Sequence, residues 1–210
     1  MTSLRAAHAD DPKTLIVEEL AVCDGSARVD IAVLNGSLSG FEIKSERDSL
    51  SRLKSQTKSY ERCFDTLTLV APARHLNHAR STLPEWWGLT EVTEERARKW
   101  TLKTWRHPTA NNGVDAASII GLLWRSEIFA VLERYRLDRG IRSKPMVNAR
   151  ERLLEHLDVQ SIREEVRLAL KSRGIGDLVQ RRFDVVIRPY LPPSLCTPRR
   201  TGCGCFRLDL

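Results

Sequence analysis

R-V-D-I-A-V-L-N-G-S-L-S-G-F-E-I-K, from Arg28 to Lys44, reads as two strands joined by a tight turn. Val29, Ile31 and Val33 alternate with Arg28, Asp30 and Ala32, and Phe41 and Ile43 alternate with Glu42 and Lys44, the period of two expected of strands. Asn35-Gly36 between them is the strongest short hairpin signal and predicts a type I′ turn, with positive φ at both central residues. Side chains two apart on a strand share a face, so Glu42 and Lys44 emerge together, and the hairpin can bring Asp30 alongside them. Two carboxylates beside an ammonium make a hard-oxygen cation site with a positive neighbour. That combination suits Mg²⁺-assisted phosphodiester hydrolysis.

The flanking sequence extends this hairpin into an α/β core. Thr14 to Leu20 fits a strand with Leu15, Val17 and Glu19 on one face, and Asp24-Gly25-Ser26 turns it into the Arg28 strand, giving three antiparallel strands in succession. After Lys44 the period changes. Leu50, Leu53, Thr57, Tyr60 and Phe64 recur at three and four, the mark of an amphipathic helix beginning near Asp48 or Ser49, with Gln56 and Tyr60 on one face. Leu67 to Ala71 reads as a short strand stopped by Pro72, followed by a helix from about Arg74 to Thr82. A strand ending near Val92 comes next, with Leu102 to Arg106 as its partner. Trp86 and Trp87 fit packing on the sheet edge or, more sharply, a base-stacking platform. Asn111-Asn112-Gly113 is a loop, and the apolar spacing beyond it predicts one long helix from about Asp115 to Tyr135. Strands alternating with helices describe a mixed central sheet flanked by helices.

Gly140 to Pro145 is a basic linker and the best domain boundary, so the core spans 1–138. A small C-terminal helical region, 139–182, holds helices from Asn148 to about Leu157 and from Val159 to Arg173, the second ended by Gly174-Ile175-Gly176. Residues 183–210 contain a last short strand, Val185 to Leu191, and an irregular tail from Pro192.

The 210 residues are 41% hydrophobic and 29% charged, ordinary for one globular core. No apolar run approaches the roughly 20 residues of a membrane span, and Met1 to Asp11 lacks a signal-peptide core, so a cytoplasmic address without membrane association is expected. The net charge of +7 and pI near 9.4 favour a polyanionic partner. Between Arg139 and Arg182 eleven Lys or Arg face six Asp or Glu, a local excess of five. Arg142, Lys144, Arg150, Arg167 and Lys171 are the candidates there for contact with nucleic acid, against the plainer reading of a solvated helical surface. Cys23, Cys63, Cys196, Cys203 and Cys205 form no paired CxxC zinc pattern, and their odd number argues against a disulfide framework.

Asp30, then Glu42-Ile43-Lys44, then Gln56-Thr57-Lys58-Ser59-Tyr60 resembles the PD-(D/E)XK nuclease superfamily, including the Gln-x-x-x-Tyr helix of its RecB-type branches. The run from Glu18-Glu19-Leu20 through R-V-D-I-A-V and F-E-I-K-S to the T-L-V and W-W-G stretches resembles more closely a family of small bacterial proteins with a locus-style name beginning "sce". The resemblance covers Leu15 to Tyr135 and weakens through Arg173. It implies a restriction-endonuclease-like core in which Asp30, Glu42 and the Ile43 carbonyl ligate Mg²⁺ or Mn²⁺. Lys44 would orient water or neutralise charge on the phosphate, while Gln56 and Tyr60 face the site from the helix. Glu19, on the strand beside the hairpin, is the candidate third carboxylate, with Glu18 as its alternative. One departure stands out: the superfamily places a helix before the first strand, and here about a dozen residues precede Thr14.

The expected activity is thus metal-dependent hydrolysis of nucleic acid, with DNA the expected polymer. The alternatives are a DNA-binding module of the same fold with a weakened site, and a regulatory interaction protein without a nucleic-acid partner. The last would be marked by pairing of the Arg139 to Arg182 charge with acidic groups. His75 and His78, three apart, could share a metal with His107 as a third histidine elsewhere, but no third ligand lies at suitable spacing.

Overall fold

The computed structural model describes residues 14–95 and 100–173. The expectations for the N-terminal segment, the Gly174-Ile175-Gly176 helix end, the Val185 to Leu191 strand and the cysteine-bearing tail lie outside the described residues.

The fold is α/β, a mixed six-stranded sheet flanked by helices. Strands β1 (Leu15–Val22), β2 (Ala27–Asn35), β3 (Ser37–Ile43), β4 (Thr66–Ala71), β5 (Gly88–Glu94) and β6 (Trp100–Arg106) lie in sequential order across it. β1, β2 and β3 pair antiparallel, β3, β4 and β5 parallel, and β6 returns antiparallel to β5. Parallel neighbours require a crossover, supplied by α1 (Leu53–Glu61) between β3 and β4 and by α2 (Ala73–Thr82) between β4 and β5. No helix among the described residues is long and apolar enough to cross a membrane.

Three local expectations are corrected. The β2–β3 turn is not type I′: Asn35 pairs with Ser37, leaving Gly36 alone at the apex with φ 67°, and Asn35 is not in the left-handed region. A one-residue apex concentrates the positive φ on the residue that tolerates it. Helix α1 starts at Leu53 instead of Asp48 or Ser49, because the Asp48 carboxylate accepts the Ser45 N–H at 2.6 Å and closes a turn ahead of the helix. The long helix expected from Asp115 to Tyr135 is two, α3 (Ala116–Ile120) and α4 (Arg125–Arg134). Trp124 is extended at the break and donates its N–H to Glu127 at 2.7 Å, a new helix start that the sequence conceals because Leu122 and Leu123 stay buried across it.

Helix α1 covers β2 and β3 with Leu53, Thr57 and Tyr60. Phe64, just beyond it, lies against Gly40, where an added Cβ would stand 2.6 Å from Leu67 Cδ2 and 3.1 Å from Phe64 Cδ1. Helices α5 (Met146–His156) and α6 (Val159–Arg173) pack on α3 and α4. One hydrophobic cluster joins Val17, Leu34, Phe64 and Leu69 of the sheet layer to Ile141, Leu153, Ile162 and Leu170. The core therefore runs through the boundary expected at 139, because the helices beyond it bury their apolar faces on those before it.

Asn111 ties these parts together from a loop. Its side-chain amide donates to the carbonyls of Glu61 (2.6 Å) and Phe64 (2.8 Å) at the end of α1, and its own N–H donates to Asp65. Asn111→Ala strands two backbone carbonyls, and we expect a loss of about 2 kcal/mol, read as a lower urea midpoint with an unchanged slope.

Candidate active site

The β2–β3 register ends at the Ile31 and Phe41 pair, and Asp30 and Glu42 are the next residues on the two strands, close enough for the charges to interact. Asp30 Oδ2 accepts the Ile43 N–H at 2.6 Å, which fixes its carboxyl beside the end of β3. Glu42, only 1% exposed, lies between the sheet and α1. Its Oε1 accepts from Lys44 Nζ at 2.5 Å and from Gln56 Nε2 at 3.2 Å, and its Oε2 is 2.9 Å from the Tyr60 hydroxyl. That hydroxyl is also 2.5 Å from the Arg28 carbonyl, so its single proton serves one of the two acceptors at a time. Gln56 and Tyr60, one helical turn apart, thus approach Glu42 from one face of α1 while Lys44 approaches along the strand. Asp30, Glu42, Lys44, Gln56 and Tyr60 are brought together.

The electrostatics follow from this crowding. Burial, and next the Glu42 charge, push the Asp30 carboxyl up to about 7, against the pull of the Ile43 N–H and Lys44. Burial and the same Glu42 charge raise the Tyr60 phenol, which stays a proton donor. Two carboxylates opposed in a half-buried pocket therefore carry less than two negative charges at neutral pH without a cation.

Glu19 stands at the rim of the site, near enough for its charge to help raise the Asp30 carboxyl. It adopts φ 55°, which breaks the strict alternation expected for β1, and its half-exposed side chain pairs with Arg28 at 3.1 Å. Glu18 lies across from Ile31 in register. Trp87 is fully buried, with its ring centroid 6.4 Å from that of Tyr60, so packing and not base stacking describes it; Trp86 packs beside it. His75 reaches the Ser45 carbonyl at 2.9 Å, whereas His78 and His107 are exposed, and no cluster of three or more metal-ligating side chains occurs among the described residues.

The five basic candidates divide. Arg142 pairs with Glu133, and Arg150 pairs with Asp24 at 3.1 Å. Lys144 is exposed, and Arg167 and Lys171 are half-buried on α6. Arg163 and Arg173 of the same helix pair with Asp65 (3.3 Å) and Glu127. Among the described residues, Arg142, Arg150, Arg163 and Arg173 thus reach acids on neighbouring elements.

Sequence reasoning missed two supports of the site. One is the Arg28 carbonyl, a backbone group without a side-chain signal. The other is the Ser45 turn after Lys44, held by Asp48 and His75; only the Ser-x-x-Asp spacing hinted at it.

The sequence matches the Bacteriophage P4 protein cII family over residues 2–181. The chain belongs to that family. Protein cII of Enterobacteria phage P4 is 28% identical over 158 residues, covering 75% of this chain and 59% of the phage protein. This P4 cII family chain thus spans about three-fifths of the length of the curated relative it matches. A solved protein of unknown function from Silicibacter pomeroyi is 20% identical, covering 68% of this chain and 88% of its own, with a TM-score of 0.38, a likeness too slight to bear on fold or function.

The residues present fit a hard divalent cation. Asp30 and Glu42 offer opposed carboxylates whose repulsion a cation would relieve, and Gln56 Oε1 is buried without a hydrogen-bond partner beside them. The raised Asp30 value has a sign. The folded chain holds this proton more tightly than the unfolded one, so in metal-free buffer the group costs stability increasingly as pH rises from about 4 to 7, and fully above that. Asp30→Asn keeps the acceptor for Ile43 and removes the charge. We expect its melting temperature to match that of the wild type near pH 4 and to exceed it increasingly up to pH 8 in EDTA. Mn²⁺ or Mg²⁺ at pH 8 should then raise the melting temperature of the wild type alone.

Proposed function

We propose that this P4 cII family member is a metal-dependent nuclease with a restriction-endonuclease-like core of the PD-(D/E)XK type, hydrolysing phosphodiester bonds in nucleic acid, with DNA as the expected substrate. The observation that carries the reading is the convergence of Asp30, Glu42 and Lys44 at the end of one hairpin, with Gln56 and Tyr60 set on Glu42 from the following helix. The strand order and the α1 crossover between β3 and β4 are compatible with such a core.

Asp30, Glu42 and the Ile43 carbonyl would hold Mg²⁺ or Mn²⁺, which supplies a Lewis acid for the phosphate and a more acidic water at neutral pH. The chain does the rest. Gln56 and Tyr60 fix the Glu42 carboxylate so that its oxygens stay aimed at the hairpin. Lys44, 15% exposed and held on Glu42, supplies the positive charge that the carboxylate needs when no cation is bound. Once a cation takes over that task, the ammonium can turn to a phosphate oxygen and stabilise charge developing there. Glu19, paired with Arg28 at the rim, adds its charge to the field at Asp30.

A second reading is favoured by one observation. Arg142, Arg150, Arg163 and Arg173 pair with acids of the same chain, as expected for a regulatory interaction protein without a nucleic-acid partner. Cleavage of linear, nicked and single-stranded DNA, and of RNA, with Mg²⁺ or Mn²⁺ separates the readings. Under the nuclease reading the wild type cuts, and Asp30→Ala and Lys44→Ala each lose about 100-fold or more in rate while remaining folded. Binding should weaken steeply with salt through phosphate contacts. A folded, metal-binding wild type that cuts none of these substrates would sink the nuclease reading in favour of the second.

A further inference from the structure

Cys23 and Cys63 lie 40 residues apart in sequence, yet their sulfurs are 3.7 Å apart as free thiols. The turn that carries Cys23 is unusual. Cys23 (φ 50°), Asp24 (φ 53°) and Gly25 (φ 85°) are all left-handed, which folds the β1–β2 connection tightly and turns the Cys23 side chain towards α1. The Cys23 thiol donates to the Ser59 carbonyl at 3.5 Å. Cys63 follows α1 by two residues and donates its N–H to the Tyr60 carbonyl at 3.0 Å. Cys23 is half-buried and reachable, while Cys63 is buried behind it.

We propose that Cys23 and Cys63 form a reversible thiol–disulfide modification site whose co-reactant is a small-molecule disulfide of the glutathione class. Cys23 loses its proton to solvent and its sulfur attacks one sulfur of the external disulfide, whose other half leaves as a thiolate. The Cys63 sulfur then attacks Cys23 in the mixed disulfide, and the second half of the reagent leaves, taking up the Cys63 proton. The protein loses two protons and two electrons, and the reagent is reduced to two thiols. Burial pushes the Cys63 thiol up, so it reacts as the resolving partner and not as the first nucleophile.

The bond would lie near the contact of the Tyr60 hydroxyl with the Arg28 carbonyl. Tyr60 lies three residues before Cys63, and Arg28 five after Cys23. Oxidation therefore fixes the end of α1 to the β1–β2 turn on the side from which Tyr60 reaches Glu42. The pair stands apart from the metal-binding reading, and its test needs no activity.

The full chain is incubated with oxidised glutathione under native conditions, alkylated and digested with trypsin without reduction. A species linking the 14–28 and 63–74 peptides, two hydrogens lighter than their sum, is expected. The melting temperature should rise by about 5 °C or more, since the cross-link closes a loop of some 40 residues. Dithiothreitol should reverse both changes, and Cys23→Ser should abolish them. Cys63→Ser should stop at a glutathione adduct on Cys23. Absence of the 14–28 to 63–74 link in the folded chain overturns the proposal, as does a link of either cysteine to Cys196, Cys203 or Cys205 in preference. So does a Cys23→Ser chain that retains the temperature rise.

Discussion

A carboxylate as buried as Glu42 is tolerable only where donors replace the water it has lost. Here the donors come from three directions: Lys44 along its own strand, and Gln56 and Tyr60 from the helix that follows. Much of the local architecture follows from that requirement. Helix α1 must lie across β2 and β3 close enough for a tyrosine hydroxyl to reach the far strand's Arg28 carbonyl, and at Gly40 a Cβ would stand 2.6 Å from Leu67 Cδ2 and 3.1 Å from Phe64 Cδ1. The loop amide of Asn111 then holds the end of the same helix. Polar satisfaction at one glutamate and the Asn111 amide at the helix end thus support the same placement of α1.

Asp30 and Glu42 illustrate how pairing in a sheet creates chemistry. Directly opposed residues on adjacent antiparallel strands have the closest side chains the sheet allows, and opposed like charges repel there. The chain does not separate them; it gives one an ammonium and two helix donors and leaves the other half-buried with a single backbone N–H. The unequal supply explains why the proton affinity rises at Asp30. Under the nuclease reading, a divalent ion would satisfy Asp30 without disturbing the Tyr60 contact to Glu42 Oε2.

The alternating apolar pattern of Arg28 to Lys44 and the shift to helical spacing afterwards made the hairpin, α1 and the mixed sheet legible. They also brought Gln56 and Tyr60 to the side of Glu42. The features that were not legible share a cause: each is decided by a partner distant in sequence or by the backbone alone. The Glu19 position depended on strict alternation, and one left-handed residue within β1 broke it. The Asp48 side chain resembled a helix cap and instead closed the turn before it. The break at Trp124 left no trace in hydrophobic spacing, because both sides of it contribute to one core. The P4 cII family match places most of the chain in one family, consistent with a core that crosses the expected boundary at 139.

Part of the basic charge of the C-terminal helices is committed to acids within the fold. The excess between Arg139 and Arg182 is real in composition, but a guanidinium on a long stem seeks carboxylates wherever packing brings them near. Arg150 reaches the β1–β2 turn, Arg163 the start of β4, and Arg173 the first turn of α4. Asp24, Asp65 and Glu127 lie far from these arginines in sequence, so the pairs link the C-terminal helices to the rest of the fold. Arg163–Asp65 and Arg173–Glu127 are largely buried, so removing either partner would strand a charge, and the pairs help to hold α5 and α6 on the rest of the fold. A phosphate backbone approaching those helices would have to compete with carboxylates already in place. Under the nuclease reading, attraction for a polyanion therefore rests more on the cation and Lys44 at the hairpin than on the helical surface, and the catalytic and binding contributions would reside in one small site.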